Sequence, residues 1–284
     1  MIASRVFADD VLGGQVAVVT GGGTNLGKAA AGELVRCGAS VVVTGRRDDV
    51  LEAAAAEIGE RCSCVPGDVR EPAQARRIVR TALERHGRLD FLLNNAGGQY
   101  FVAAEAITAK GWRAVQRLNV GGTLAMSEAA HELAMAPAGR GSIVNVMVSP
   151  HHGMPAMAHT GAARAAVESL TFELARSWAP DGVSVAAVAV GRFATESLRK
   201  YPAELWRHAA EGVPLQRLGE LEEYAWLVAL LASPVGRSLS GSVITIDRGL
   251  DNWHGRWPPV ELVRGGQLPS EARAGAVPEQ STGQ

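Results

Sequence analysis

The stretch with the clearest chemical meaning is Thr20-Gly21-Gly22-Gly23-Thr24-Asn25-Leu26-Gly27. A short apolar run, Gln15 to Thr20, leads into it, and an alanine-rich stretch from Asn25 to Arg36 follows. Strand, glycine turn and helix start together make an anion site. Backbone N–H groups converge there and the helix dipole favours negative charge. A dinucleotide pyrophosphate is the usual occupant of such a turn. Gly21, Gly23, Thr24, Asn25, Leu26 and Gly27 are therefore expected to line a cofactor. Asn25 stands where a nucleotide loop of this shape would carry glycine. Asparagine tolerates a left-handed backbone, but its side chain takes up space a phosphate would use.

The second strand, Ser40 to Thr44, ends in Gly45-Arg46-Arg47. An acidic residue at this tip would take the ribose 2′-hydroxyl of NAD, and none is present. Arg46 and Arg47 suit a 2′-phosphate instead, so NADP (NADPH) is the expected cofactor. Two solvated loop arginines are the plainer alternative. Asp68 and Val69, after the third strand, are placed to meet the adenine. Asn94, Asn95, Ala96 and Gly97 are placed to approach the adenosine side.

These residues need a frame, and the sequence supplies an alternating one. Strands are expected at 40–44, 62–66, 90–93, 142–147, 183–190 and 242–246, after the first at 15–20. Helices are expected at 25–36, 48–58, 71–86, 109–135, 157–178 and 220–232, with Asp48 or Asp49 near one N-cap and Gly87 as a C-cap. Short Val/Ile/Leu runs separated by helices specify an α/β fold: one doubly wound domain, a parallel sheet of about seven strands covered by helices on both faces. The domain is expected to span 1–252, with residues 191–218 as a substrate cover at the carboxyl edge. Residues 253–284 read as a C-terminal extension, flexible from about 265.

Bulk properties narrow the function. The net charge is −1, which gives no basic field for nucleic acid or an anionic membrane. Cys37, Cys62 and Cys64 lack metal-ligand spacing and read as packing residues, so no metal is expected. Met1 to Asp10 is polar and charged, which points to a cytoplasmic protein.

In combination the motifs resemble the short-chain dehydrogenase/reductase family, over about residues 12–250. Thr20-Gly21-x3-Asn25-x-Gly27 is similar to its glycine loop with the middle glycine replaced. Asn94-Asn95-Ala96-Gly97 matches its Asn-Asn-Ala-Gly motif. Asn119 falls at its structural and proton-relay asparagine. Gly191 and Thr195 match its Pro-Gly-x3-Thr stretch at the nicotinamide end, with Val190 in place of proline. The resemblance implies a Rossmann-type fold and a dimer or tetramer paired through the two long helices.

The same resemblance exposes a departure. The family carries Tyr-x3-Lys at the start of the sixth helix, and here His159 reads at the tyrosine position and Ala163 at the lysine position. No tyrosine lies between Tyr100 and Tyr201 and no lysine between Lys110 and Lys200. Asn94 to Gln99, Gly111-Trp112 and His159 to Ala165 resemble a branch of peroxisomal-type trans-2-enoyl-CoA reductases, 2,4-dienoyl-CoA reductases and citronellol/citronellal dehydrogenases. That branch implies NADPH and an acyl-CoA or terpenoid substrate.

Chemistry supports the enoyl reading independently. Carbonyl reduction needs a tuned acid to protonate the oxygen, a contribution of about 10²–10⁴ in rate. Enoyl thioester reduction develops an enolate, which fixed donors stabilise. Candidate donors are His159, Ser149, His151 and His152, with Asn119 in support. Gln99, Tyr100 and Tyr201 are candidates for substrate contact. Arg164 and Arg192 could meet an anionic substrate group, but solvated or salt-bridged surface arginines are the plainer expectation. The competing expectation is a non-redox lyase, isomerase or cyclase, or a ligand-binding pseudoenzyme, on the same fold.

Overall fold

Seven strands with almost no exposed side chain build the centre. They are β1 (Val16–Thr20), β2 (Ser40–Gly45), β3 (Cys62–Pro66), β4 (Phe91–Asn94), β5 (Gly141–Met147), β6 (Val183–Val190) and β7 (Val243–Ile246). The computed structural model describes residues 6–148, 154, 156–196 and 209–252. β1, β4, β5 and β6 are buried along their whole length, as β-branched and apolar runs must be when both faces of a sheet are covered. All pairings are parallel, in the order β3-β2-β1-β4-β5-β6-β7. The order reverses between β1 and β4, and that switch point opens the ligand crevice at the strands' carboxyl ends.

Among the described residues seven longer helices cover the sheet: α1 (Asn25–Arg36), α2 (Asp48–Ile58), α3 (Pro72–His86), α4 (Ala109–Gln116), α5 (Gly122–Ala130), α6 (Ala158–Trp178) and α7 (Leu221–Ala232). On one face, Leu34 of α1 and Tyr224 and Val228 of α7 pack with Val19, Val43 and Phe91. On the other, Ile78 of α3 and Met126 of α5 pack with Val18, Leu92 and Ile143. Burying two such layers is the main source of stability, at about 25 cal/mol per Å² of apolar surface.

Local signals place the ends. Gly87 adopts φ 73° as the C-cap of α3, as expected. α2 begins at Asp48 with Arg47 as its cap residue, so the two aspartates act on the helix dipole rather than as the cap. The helix expected over 109–135 is continuous but not uniform. π-helical turns at Arg117–Gly121 and His131–Met135 interrupt it, and the first carries Asn119. Such turns concentrate at functional sites.

The segment after β6 is tied at both ends. Ala194 N donates to Gly219 O and Gly219 N to Arg192 O, each at 2.9 Å. Arg192 Nη1 donates to Ala209 O at 2.9 Å. Residues 197–208 of the expected cover, Tyr201 among them, lie outside the described residues, as does the extension from 253.

Candidate active site

The glycine turn is held by side chains that converge from β1, β4 and α7. Thr20 Oγ1 accepts from the backbone N–H of Asn95 and of Ala96, each at 2.9 Å, and donates to Leu93 O at 3.2 Å. Asn95 Nδ2 donates to Thr20 O at 3.0 Å. Tyr224, whose hydroxyl burial pushes its pKa up and keeps it neutral, donates to Asn95 Oδ1 at 3.4 Å. Asn95 thus braces the turn. Gly27 has no alternative here: a Cβ would sit 2.3 Å from Gly21 O and 2.6 Å from Asn95 Nδ2. A Cβ on Gly23 would meet Val50 at 3.1 Å, and Leu26 packs on the core below.

Thr24 caps α1 without a side-chain hydrogen bond, and no acidic residue lies in the first turn. The helix's leading amides and dipole therefore face the crevice without a side-chain acceptor, which suits a phosphate. Asn25 is left-handed at φ 47°. Its Oδ1 turns away to accept from the backbone N–H of Glu196 at 2.9 Å.

On the adenosine side, Arg46 and Arg47 are exposed at the tip of β2. Asp68 is gripped by Arg70, whose Nε lies 2.9 Å from both carboxylate oxygens. The hydrogen bonds and charge of Arg70, with the charge of Arg46 beyond it, hold the Asp68 carboxyl below its ordinary range. The Val69 side chain is buried, and a Cβ on Gly122 would come 2.8 Å from it. It belongs to the core. The side-chain space beside Gly191 is likewise closed, because a Cβ would fall 2.5 Å from Asp247 Cβ. Thr195 follows one residue before Glu196 in the same segment, its N–H donating to Phe193 O at 2.8 Å.

The other half of the crevice gathers around Gly97, whose missing side chain lets two polar groups approach. A Cβ on Gly97 would lie 2.9 Å from Arg164 Nη2 and 2.9 Å from Asn119 Oδ1. Asn119 is fully buried. Its Nδ2 donates to Gly98 O and Val115 O, both at 2.9 Å, and its Oδ1 accepts from Gly98 N at 3.2 Å. It fixes the loop after β4 to the π-helical turn.

Arg164 corrects the reading as a solvated or salt-bridged surface arginine. It is 9 % exposed, Nη1 donates to Val146 O at 2.9 Å, and Nε has no partner. Burial pushes its pKa down to about 10, and among the described residues no carboxylate pairs with it. It remains a cation at neutral pH. Thr160 and Arg164, one residue on from His159 and Ala163, have the same i, i+4 spacing and lie on the same buried face of the helix.

His159 is fully buried, with both ring nitrogens unpartnered. Its ring lies edge-on to Tyr100, centroids 4.4 Å apart. Tyr100 is half-exposed, and its hydroxyl lies over Gly111, where a Cβ would come 2.0 Å from it. Gln99 is exposed. Ser149, His151 and His152 lie outside the described residues. One polar chain was missed in the sequence: buried Asn94 donates to Ser127 Oγ at 2.8 Å and to Asn145 Oδ1 at 2.9 Å, and Asn145 donates to Thr171 at 3.0 Å. Its four members come from four elements, so no local spacing announces it. Among the described residues no cluster of His, Cys, Asp and Glu could hold a metal, and no helix is long and apolar enough to cross a membrane.

A parallel sheet in this order, a glycine turn at the switch point and an asparagine-braced loop after β4 define a Rossmann-like doubly wound α/β protein. The chain belongs to the short-chain dehydrogenase/reductase family of oxidoreductases. A family profile described as enoyl-(acyl carrier protein) reductase matches residues 22–251. The chain is 33 % identical to a peroxisomal 2,4-dienoyl-CoA reductase of Arabidopsis thaliana, over 96 % of each chain. It is 35 % identical to a probable 2,4-dienoyl-CoA reductase of Bacillus subtilis, over 85 % of this chain and 97 % of that one. A solved structure of a citronellol catabolism dehydrogenase from Pseudomonas aeruginosa PAO1 superposes with a TM-score of 0.78 at 36 % identity, over 86 % of this chain and 98 % of that one.

Proposed function

We propose that the protein is an NADPH-dependent reductase of a conjugated C=C bond in an acyl thioester, an enoyl- or dienoyl-CoA. The observation that carries this reading is Arg164, a buried cation beside Gly97 with no counter-ion among the described residues. A guanidinium holds its proton too tightly to serve as a general acid near neutral pH, but it stabilises negative charge well. That balance disfavours carbonyl reduction, which needs a proton delivered to oxygen. It favours a reaction whose charge develops on a thioester oxygen while water protonates the α-carbon.

The cofactor assignment rests on an α1 start that Thr24 does not cap with its side chain, the Gly21–Gly27 approach and the arginines at the tip of β2. When bound, NADPH supplies the hydride. Gly21 to Gly27 would hold the pyrophosphate and Arg46 the 2′-phosphate. Asn119 positions the Gly97-Gly98 loop over Arg164. His159, with two orphaned nitrogens beside Tyr100, is the reserve donor next to the acyl chain. The relatives named as 2,4-dienoyl-CoA reductases support the acyl-CoA class. Trp112 on α4 and Phe172 on α6 are exposed at 42 % and 46 %, which supports pairing of two or four copies through these helices. Sedimentation as a monomer would refute that pairing.

The test follows NADPH absorbance with 2-enoyl-CoA, 2,4-dienoyl-CoA, aldehyde and alcohol substrates in parallel. Turnover of the thioesters, with NADPH preferred over NADH, is expected. Turnover of carbonyls alone, or bound NADPH with no turnover across the panel, overturns the proposal.

A further inference from the structure

Asn25 replaces a glycine in the turn yet keeps the left-handed backbone that glycine would supply, at φ 47°. A residue that only tolerated the position would leave its side chain in solvent or cap its own helix. Instead Oδ1 accepts from the N–H of Glu196, 171 positions away in the chain and six residues beyond the end of β6. β1 and β6 are separated by β4 and β5 in the sheet. Three strand spacings, about 14 Å, therefore lie between the roots of the two loops that this bond joins. The receiving segment is itself anchored, through Ala194 to Gly219 and Gly219 to Arg192. The bond therefore ties the turn to a braced partner.

We propose that Asn25 is a positioning residue: a clasp that joins the pyrophosphate turn to the β6 exit segment and slows exchange of the dinucleotide. The inference rests on the cofactor reading above. A dinucleotide that reaches from the β2 tip to the end of β6 must pass between these two loops. Its entry and release both require the clasp to open. A clasp that re-forms over the seated dinucleotide governs both rates more than their ratio. Glycine at position 25 would leave the backbone unstrained and remove the bond, so Asn25→Gly isolates the clasp from folding.

Two measurements on the full chain test it. Hydrogen exchange of the nucleotide-free protein should show the Glu196 amide protected in the wild type and in Asn25→Asp, which keeps an acceptor, and unprotected in Asn25→Gly. Stopped-flow fluorescence with NADPH should show dissociation from Asn25→Gly faster by roughly two- to tenfold, the range of one net hydrogen bond. Association should quicken alongside it, so the Kd moves less than either rate. Equal exchange at Glu196 in all three proteins, or equal dissociation rates, overturns the clasp. A wild type that binds neither NADPH nor NADH instead overturns the cofactor reading and the exchange role with it, while hydrogen exchange still decides whether the bond exists.

Discussion

At the carboxyl ends of β1 and β4, the polar side chains answer one another. Thr20 satisfies two amides and a carbonyl, and Asn95 bonds the turn and receives Tyr224. At the start of α6, a few ångströms of sequence hold His159, Thr160 and Arg164, with both imidazole nitrogens, the threonine hydroxyl and the arginine Nε buried and unpartnered. Burying polar groups without partners costs stability, and an uncompensated charge costs most. The first region is therefore built to hold a shape. The second is loaded with electrostatic free energy that a bound anionic group would recover.

The largest test of this contrast is Arg164→Met, which keeps side-chain volume and removes the charge. Turnover should fall by roughly 10²–10³, the scale of losing a fixed oxyanion donor. The melting temperature should rise, because replacing an unpaired buried charge by an apolar side chain is stabilising. Wild-type turnover, or a lower melting temperature, would erase the distinction between the two regions.

Thr20→Val should behave in the opposite way. It leaves the Asn95 and Ala96 amides without their acceptor, so about 2 kcal/mol of stability should be lost. Thermal denaturation should show this as a fall of roughly 4–8 °C, together with weaker nucleotide binding. Arg46→Ala should weaken NADPH by about tenfold, one charge-assisted bond, and leave NADH unchanged in a fluorescence titration.

The smallest effect belongs to the Asp68–Arg70 clip. The folded carboxyl titrates below its ordinary value of 3.8. Its contribution is therefore complete above that value and disappears as pH falls through the lower, folded one. Asp68→Asn should flatten the acid limb of the stability–pH curve while stability at neutral pH drops only slightly, the pair being partly exposed. An unchanged acid limb would show that the clip does not tie β3 to the adenosine side.

The alternation of strands and helices, the glycine turn and the Gly87 cap were all legible, because each is dictated within a dozen residues by periodicity and turn chemistry. Asn95 and Gly27 were legible as parts of the glycine-turn motifs, and packing shows how they hold that turn. Arg164 was legible as a possible partner of an anionic group, but its burial was not. Helix α6 buries a single face, but that face carries His159, Thr160 and Arg164 while alanines and Phe172 stand outside, so hydrophobicity does not mark the side on which Arg164 lies. Val69 and Gly191 were expected at the ligand for their positions along the chain; the Val69 side chain packs in the core, and a Cβ on Gly191 would meet Asp247.

Sequence alone determined the doubly wound α/β class, the order in which its elements arise and the place of the glycine turn. Those follow from local preferences and from the few ways a parallel sheet can be connected. Tertiary structure alone decided that Arg164 is a buried cation, that Asn94, Ser127, Asn145 and Thr171 form one polar chain, and that Asn25 reaches Glu196. Each of these depends on side chains distant in the chain meeting at one edge of the sheet, where burial sets the strength of charge and hydrogen bond.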